Sequence, residues 1–268
     1  GTSYSWSPGI GLNNNLISNP IANPTSNITY IVTVTDNNGC SLTDNVSVSI
    51  YPTVQANAGL DQTICAGKSA YLNASGGSSF VWSPNLYLNN NTIYNPVATP
   101  PITTTYTVVT TDINGCTTSD NVVVNVNPAV VANAGKDTTI CNGNSIKLTA
   151  TGGTSYSWSP SLGLSTVNIA DPIANPAYTT TYVVTVTDIN GCSATDNITI
   201  TVNSVPNANA GPDVAICAGN QVTLNASGGT LYTWNTASTS SSINVSPSLT
   251  TTYTVTVSNS QGCSSTDA

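Results

Sequence analysis

Apolar and polar residues alternate along most of this chain, and nowhere do they fall at helical spacing. Residues 145–150 read Ser-Ile-Lys-Leu-Thr-Ala, a period of two that suits a half-buried strand. Before them, Thr138-Thr139-Ile140-Cys141 predicts a short strand closed by the turn Asn142-Gly143. After them, Gly152-Gly153 breaks the chain and Tyr156-Ser157-Trp158 predicts a third strand, stopped by Pro160. Residues 169–176 carry two prolines, which suit an edge or a loop. Residues 179–188 form the longest predicted strand, with Tyr182, Val184 and Val186 on one face. Asn190-Gly191 predicts a hairpin, because both residues tolerate positive φ, and residues 194–202 return as its partner.

The same pattern recurs every 76 residues. Cys65, Cys141 and Cys217 keep that spacing, as do Cys40, Cys116 and Cys192. The words around them recur too: Ala58-Gly59-x-Asp61, Ala134-Gly135-x-Asp137 and Ala210-Gly211-x-Asp213. Thr2-Ser3-Tyr4-Ser5-Trp6-Ser7-Pro8 returns unchanged at 154–160. A period of this size marks an array of small domains. The expected division is 1–52, a partial repeat holding only its C-terminal strands; 53–128; 129–204; and 205–268, shortened and truncated at its last strand. The chain opens in mid-repeat at Gly1, the counterpart of Gly153, and reads as a window on a longer polypeptide.

Six or seven short strands per repeat, with a turn every ten residues or so, predict an all-β array of immunoglobulin-like sandwiches. Trp6, Trp82, Trp158 and Trp234 fall on the third strand, where such a sandwich buries its core tryptophan. Tyr30, Tyr106, Tyr182 and Tyr253 follow a Thr-rich entry into the long strand, the place of a tyrosine corner.

The run Ala-Gly-x-Asp-x-x-Ile-Cys-x-Gly, then Leu-x-Ala-x-Gly-Gly, Tyr-x-Trp, Thr-Thr-Tyr-x-Val-x-Val and Asp-x-Asn-Gly-Cys resembles the Cys-bearing, PKD-like immunoglobulin-type repeats of Bacteroidota cell-surface and secreted proteins, including gliding-motility adhesins. The resemblance implies an extracellular shaft or spacer. Standard PKD domains follow the Trp with Asp-Phe-Gly-Asp. Here Trp82-Ser83-Pro84 and Trp234-Asn235-Thr236 stand instead, which marks a relative of that domain.

Charge narrows the function. Three lysines, no arginine and eleven aspartates give a net charge of −8. Nothing here could neutralise a row of phosphates or an anionic membrane surface. Without His or Glu, neither a Ser–His–Asp triad nor a Glu-based acid/base pair can be assembled, so no enzymatic activity is expected. Lys68, Lys136 and Lys147 occupy three different slots, which excludes a repeated isopeptide cross-link.

Seven cysteines without a Cys-x-x-Cys predict disulfides and an oxidising, extracellular compartment. Two regular pairings suggest themselves. Within a repeat they are Cys65–Cys116, Cys141–Cys192 and Cys217–Cys263, leaving Cys40 over. Across the short junctions they are Cys40–Cys65, Cys116–Cys141 and Cys192–Cys217, leaving Cys263. The fourth repeat favours the first set, since it shortens the Cys-to-Cys interval yet keeps both residues. That set carries a difficulty: the end of the first strand and the start of the last point toward opposite poles of a sandwich.

The aspartates recur in three slots: Asp61, Asp137 and Asp213; Asp36, Asp112 and Asp188; and Asp44, Asp120, Asp196 and Asp267. Turn chemistry accounts for them, with calcium at the junctions through Asp61, Asp137 and Asp213 as the alternative. No other cofactor is expected. The partners expected are neighbouring repeats, other copies in a filament and surface glycans, for which Tyr87 and Tyr94 are the best exposed aromatics. The reading is therefore a structural stalk or filament segment, an adhesin shaft; the alternative is a set of carbohydrate-binding or spacer modules of a secreted enzyme.

Overall fold

The computed structural model describes residues 3–268, all of them strands, turns and loops. The first repeat supplies β1 (Ser3–Ser7), β2 (Ile28–Thr35) and β3 (Ser41–Val48). The second runs β4 (Gln62–Cys65), β5 (Ala70–Tyr71), β6 (Ser79–Ser83), β7 (Val97–Ala98), β8 (Thr104–Thr111) and β9 (Thr117–Asn127). The third repeats that order as β10 (Thr138–Cys141), β11 (Ile146–Lys147), β12 (Ser155–Ser159), β13 (Ile173–Ala174), β14 (Thr180–Thr187) and β15 (Ser193–Asn203). The fourth holds β16 (Val222–Asn225), β17 (Leu231–Trp234), β18 (Ser242–Val245), β19 (Val255–Ser258) and β20 (Ser264–Asp267). Two compact units, Gly1–Val126 and Asn127–Ala268, each contain two repeats.

The third repeat shows the design whole. One sheet has the order β10-β15-β14-β12, and β11 pairs with β13 on the opposite face. The chain is all-β, a tandem array of immunoglobulin-like sandwiches. Period-two alternation on β14 and β15 sends Tyr182, Val184, Val186, Ile198 and Ile200 inward, where they meet Trp158 from β12 and Leu148, Ala150 and Ala174 from the facing strands. Only Ile146 and Lys147 pair as a ladder where a six-residue strand was expected. Pro172, which has no N–H, interrupts the opposite strand, yet its carbonyl still accepts from Leu148 N–H at 2.9 Å, and Ala170 from Ala150 at 2.8 Å.

One strand direction determines where the cysteines lie. β10 pairs in parallel with β15, so Cys141 lies level with Asn203 at the C-terminal pole of the repeat. Cys192 precedes β15 at the other pole. Eleven residues of β15 at about 3.3 Å each separate the two ends by about 35 Å. A disulfide requires Cα atoms within about 7 Å.

The first and fourth repeats lack parts of this frame. In the fourth, β20 stops at Asp267, where β15 continues for seven residues beyond the matching Asp196. Ile216 is therefore 37 % exposed, while its counterpart Ile140 is 9 % exposed. A groove of about 740 Å³ opens there, lined by Val214, Ile216, Leu224, Trp234, Val245 and Tyr253 among others. In the first repeat the strands that would face β2 and β3 are missing, and Val46 is 47 % exposed where Val122 and Ile198 are buried.

Candidate functional site: a stapled repeat junction

The site is built from two small turns. The first ends the strand that carries a cysteine. Asn144 N–H donates to the Cys141 carbonyl at 3.0 Å, closing a turn that contains Gly143. Lys68 N–H to Cys65 and Asn220 N–H to Cys217 repeat it, each at 3.0 Å. The second turn is the hairpin before the last strand. Gly191 N–H donates to Asp188 O and Asp188 N–H to Cys192 O. The Asp188 carboxylate accepts from Asn190 N–H at 2.9 Å and Cys192 N–H at 2.8 Å. Of the expected Asn-Gly pair, only Gly191 takes positive φ (80°). The turn is thus longer than a two-residue hairpin, and a carboxylate closes it. In the fourth repeat Asn259 takes the aspartate's place, and its Oδ1 accepts from Cys263 N–H at 3.0 Å.

Between repeats three and four these turns meet. Asn142 N–H donates to Asn203 O at 2.9 Å, holding the Cys141 turn beside the end of β15. The next carbonyl, Ser204 O, accepts from Asn259 Nδ2 at 2.7 Å, bringing up the hairpin of the following repeat. Cys141 and Cys263 are joined there by a disulfide with Cα atoms 5.6 Å apart, 122 residues apart in sequence. Cys263 is 1 % exposed. The connecting chain is held as well: Ser265 Oγ donates to Pro206 O at 2.7 Å and accepts from Ala208 N–H at 3.0 Å, and Asp267 accepts from Ala210 N–H at 2.8 Å. A Cβ on Gly228 (φ 104°) would lie 1.8 Å from Asn207 O, so the Gly-Gly step is the seat on which the connector rests.

This corrects the expected pairing. Cys141 bonds Cys263, so neither Cys141–Cys192 nor Cys217–Cys263 forms, and Cys116–Cys141 does not form either. Cys116 and Cys217, both assigned to disulfides from the sequence, are free thiols, as is Cys40. Cys65 and Cys192 are disulfide-bonded. The cause is the pole at which each cysteine sits. The strand cysteine lies at the exit of its repeat and the hairpin cysteine at the entrance of its own, so the bond links consecutive repeats. The five-residue deletion of repeat four falls in loops away from both poles, which is why it is silent about pairing. The signal that could have found this bond was the opposite-pole difficulty itself.

The aspartates serve as latches. Asp61 accepts from Val123 N–H and Asp137 from Thr199 N–H, both at 2.8 Å, tying the segment before the first strand to the last strand. Asp120 and Asp196 accept from Ala58 and Ala134 N–H in the opposite sense. Those backbone donors, Ala58 and then Asn121 for the former, Ala134 and then Asn197 for the latter, hold both carboxyls below the ordinary aspartate range. Their contribution to stability is therefore present at neutral pH and is lost as pH falls through that lowered range. Among the described residues no three potential metal ligands cluster.

The recurrent aromatics point inward. Trp82, Trp158 and Trp234 are buried, as are Tyr30, Tyr106 and Tyr182. Trp6 and Tyr253 are half-buried, in the two repeats whose frames are open. Each indole N–H donates to a loop carbonyl: Trp6 to Ile17, Trp82 to Ile93, Trp158 to Ile169 and Trp234 to Ser240. The tyrosine hydroxyls reach 20 residues back, Tyr30 to Ile10, Tyr106 to Leu86 and Tyr182 to Leu162. They pin the loop after the Trp strand, a longer reach than the corner of antibody domains. Tyr87 and Tyr94 are exposed by 43 % and 53 %.

No family profile and no curated protein matches the chain. Solved structures with a similar course include the eight N-terminal Ig domains of Down syndrome cell adhesion molecule, at 14 % identity and a TM-score of 0.34, covering 99 % of this chain and 49 % of that one. Thus the chain spans about half the length of that structure. A Ca2+-stabilised adhesin of an Antarctic bacterium that binds ice matches at 12 % identity and a TM-score of 0.35, covering 99 % of this chain and 88 % of that one. Protocadherin gamma B7 cadherin domains 1–4 match at 12 % and 0.31, covering 98 % and 90 %. At such scores none of them bears on function.

Proposed function

We propose that this chain is a load-bearing segment of an extracellular stalk, of the kind found in Bacteroidota surface adhesins, with no enzymatic activity of its own. The observation that carries the reading is the Cys141–Cys263 bond across a repeat junction. A stalk under tension fails by unravelling its domains. Here the bond short-circuits 122 residues of chain. Released, that segment could lengthen by on the order of 400 Å, at about 3.3–3.6 Å per residue. With the bond intact, tension passes from one repeat to the next through sulfur. Disulfides also belong to an oxidising compartment outside the cytoplasm.

Single-molecule pulling of the whole chain tests this. Under oxidising conditions, repeats three and four should release only the short stretches outside the bond. After reduction they should release two further increments, each of a repeat's length. Equal increments in both conditions would remove the load-bearing role.

A second reading, glycan binding, draws on Tyr87 and Tyr94, two exposed tyrosines in the loops of repeat two. A glycan array probed with the parent chain and with Tyr87→Ala/Tyr94→Ala would support it only if the parent binds and the variant does not.

A further inference from the structure

Cys40 and Cys217 are exposed free thiols, and each sits in the same local structure as one half of the bonded pair. Cys217 ends its turn with Asn220 N–H donating to its carbonyl at 3.0 Å, as Asn144 does to Cys141. Cys40 closes its hairpin as Cys263 does. Asp36 N–H donates to Cys40 O at 3.0 Å and Gly39 N–H to Asp36 O at 3.1 Å; for Cys263 the matching bonds, through Asn259 and Gly262, are 2.9 and 3.2 Å. The Asp36 carboxylate accepts from Cys40 N–H at 2.9 Å, as the Asn259 side chain accepts from Cys263 N–H. One thiol therefore presents the exit half of a staple and the other presents the entrance half.

We infer that Cys217 of one copy of this chain bonds Cys40 of a second copy, joining chains head to tail through the same kind of joint that links repeats three and four. The partner is a second copy, because this chain carries both halves, each unoccupied, and their bonded counterparts show that the two turns fit. Cys116 has a similar hairpin but is only half-exposed.

The reaction needs a two-electron oxidant, a small-molecule disulfide such as glutathione disulfide. One protein thiolate attacks it and expels one glutathione thiolate; the second protein thiolate attacks the mixed disulfide and expels the other. Two protein thiols and one glutathione disulfide give one protein disulfide and two glutathione thiols. Between separate copies no connector holds the two repeats together, so the reaction should depend on concentration.

This extends the stalk reading but is tested separately, since the pulling experiment addresses Cys141–Cys263. The purified chain is incubated with glutathione disulfide over a range of concentrations, run on non-reducing gels and mapped by mass spectrometry. The expected result is a concentration-dependent ladder containing a Cys40–Cys217 peptide. Cys40→Ser or Cys217→Ser alone should abolish that peptide and the ladder, and Cys116→Ser should leave both. A mixture of Cys40→Ser with Cys217→Ser should stop at dimers, since each partner then offers one half. A ladder that persists in Cys217→Ser, a bond through Cys116, a Cys40–Cys217 bond within monomers, or a mixture that stays monomeric would overturn the inference. None of the three substituted thiols is bonded, so the variants should fold as the parent does.

Discussion

Repeats two and three are built on one frame, and their cores agree slot by slot. Trp82 answers Trp158, Tyr106 answers Tyr182, Val108 answers Val184, and Val122 and Val124 answer Ile198 and Ile200. They part at three places. The hairpin cysteine is a free thiol in repeat two, Cys116, and is bonded and buried in repeat three, Cys192. The inward slot filled by Val186 is filled by Thr110. The left-handed position held by Gly163 (φ 78°) is held by Tyr87 (φ 64°). The last two are local faults within a frame that tolerates them. The first is a matter of neighbours, since the state of a hairpin cysteine depends on what the preceding repeat offers it.

The largest expected effect tests that dependence on neighbours. Replacing both Cys141 and Cys263 by serine removes a bond that closes a loop of 122 residues. In the chain-entropy description such a loop is worth about 5 kcal/mol. Denaturant unfolding followed by tryptophan fluorescence should show a loss of up to that size in residues 127–268. Cys116→Ser, which removes no bond, should leave repeat two unchanged. Equal losses from the two substitutions would mean that bonding state does not distinguish the repeats.

The frame was largely legible in the sequence, because alternation and turn residues are local. The strand read at residues 138–141 is β10, and that read at 179–188 is β14 with one residue fewer at each end. The partnership of the cysteines was not legible. It depends on β10 running parallel to β15, a pairing of segments about 60 residues apart that places Cys141 and Cys192 at opposite poles. The period of 76 allows strand and hairpin cysteines to pair within a repeat, across the short junction, or from one repeat to the hairpin of the next. Spacing alone does not choose among these. The second turn was misread in its detail for a related reason. Asn-Gly suggests a two-residue hairpin, but Asp188, two residues upstream of Asn190, captures the N–H groups and lengthens it.

The middle-sized effect concerns Thr110. Its side chain is fully buried, and its hydroxyl is the one side-chain polar atom among the described residues that is buried without a partner. Such an orphan costs about 1–3 kcal/mol, and valine has nearly the same shape without it. Thr110→Val should therefore stabilise repeat two by an amount of that order, and Val186→Thr should destabilise repeat three to match. Thermal unfolding of the two variants against the parent decides it. If Thr110→Val is neutral, the slot is hydrated, and this difference between the repeats carries no energetic weight.

The smallest effect is a reversal of rank order at position 87. A side chain at φ 64° carries the left-handed penalty of roughly 1–2 kcal/mol for an L-residue, which glycine escapes. Replacing Tyr87 by glycine or by alanine removes the same ring and its contacts, so the ring's own contribution cancels between the two variants. What remains is the backbone. Glycine loses more freedom on folding, by about 0.5–1 kcal/mol, and this opposes the strain it relieves. Tyr87→Gly should therefore be more stable than Tyr87→Ala by a net of about 1 kcal/mol or less. In repeat three the same backbone strain acts in the other direction, with an added clash. A Cβ on Gly163 would lie 3.0 Å from the Asn175 carbonyl oxygen and from Pro176 Cα, both main-chain atoms that cannot swing aside. Gly163→Ala should then cost more than the difference between the two variants at position 87. Chemical denaturation of the three variants gives the comparison directly. If alanine proves at least as stable as glycine at position 87, Tyr87 is not strained, and repeat two differs from repeat three by one fault fewer.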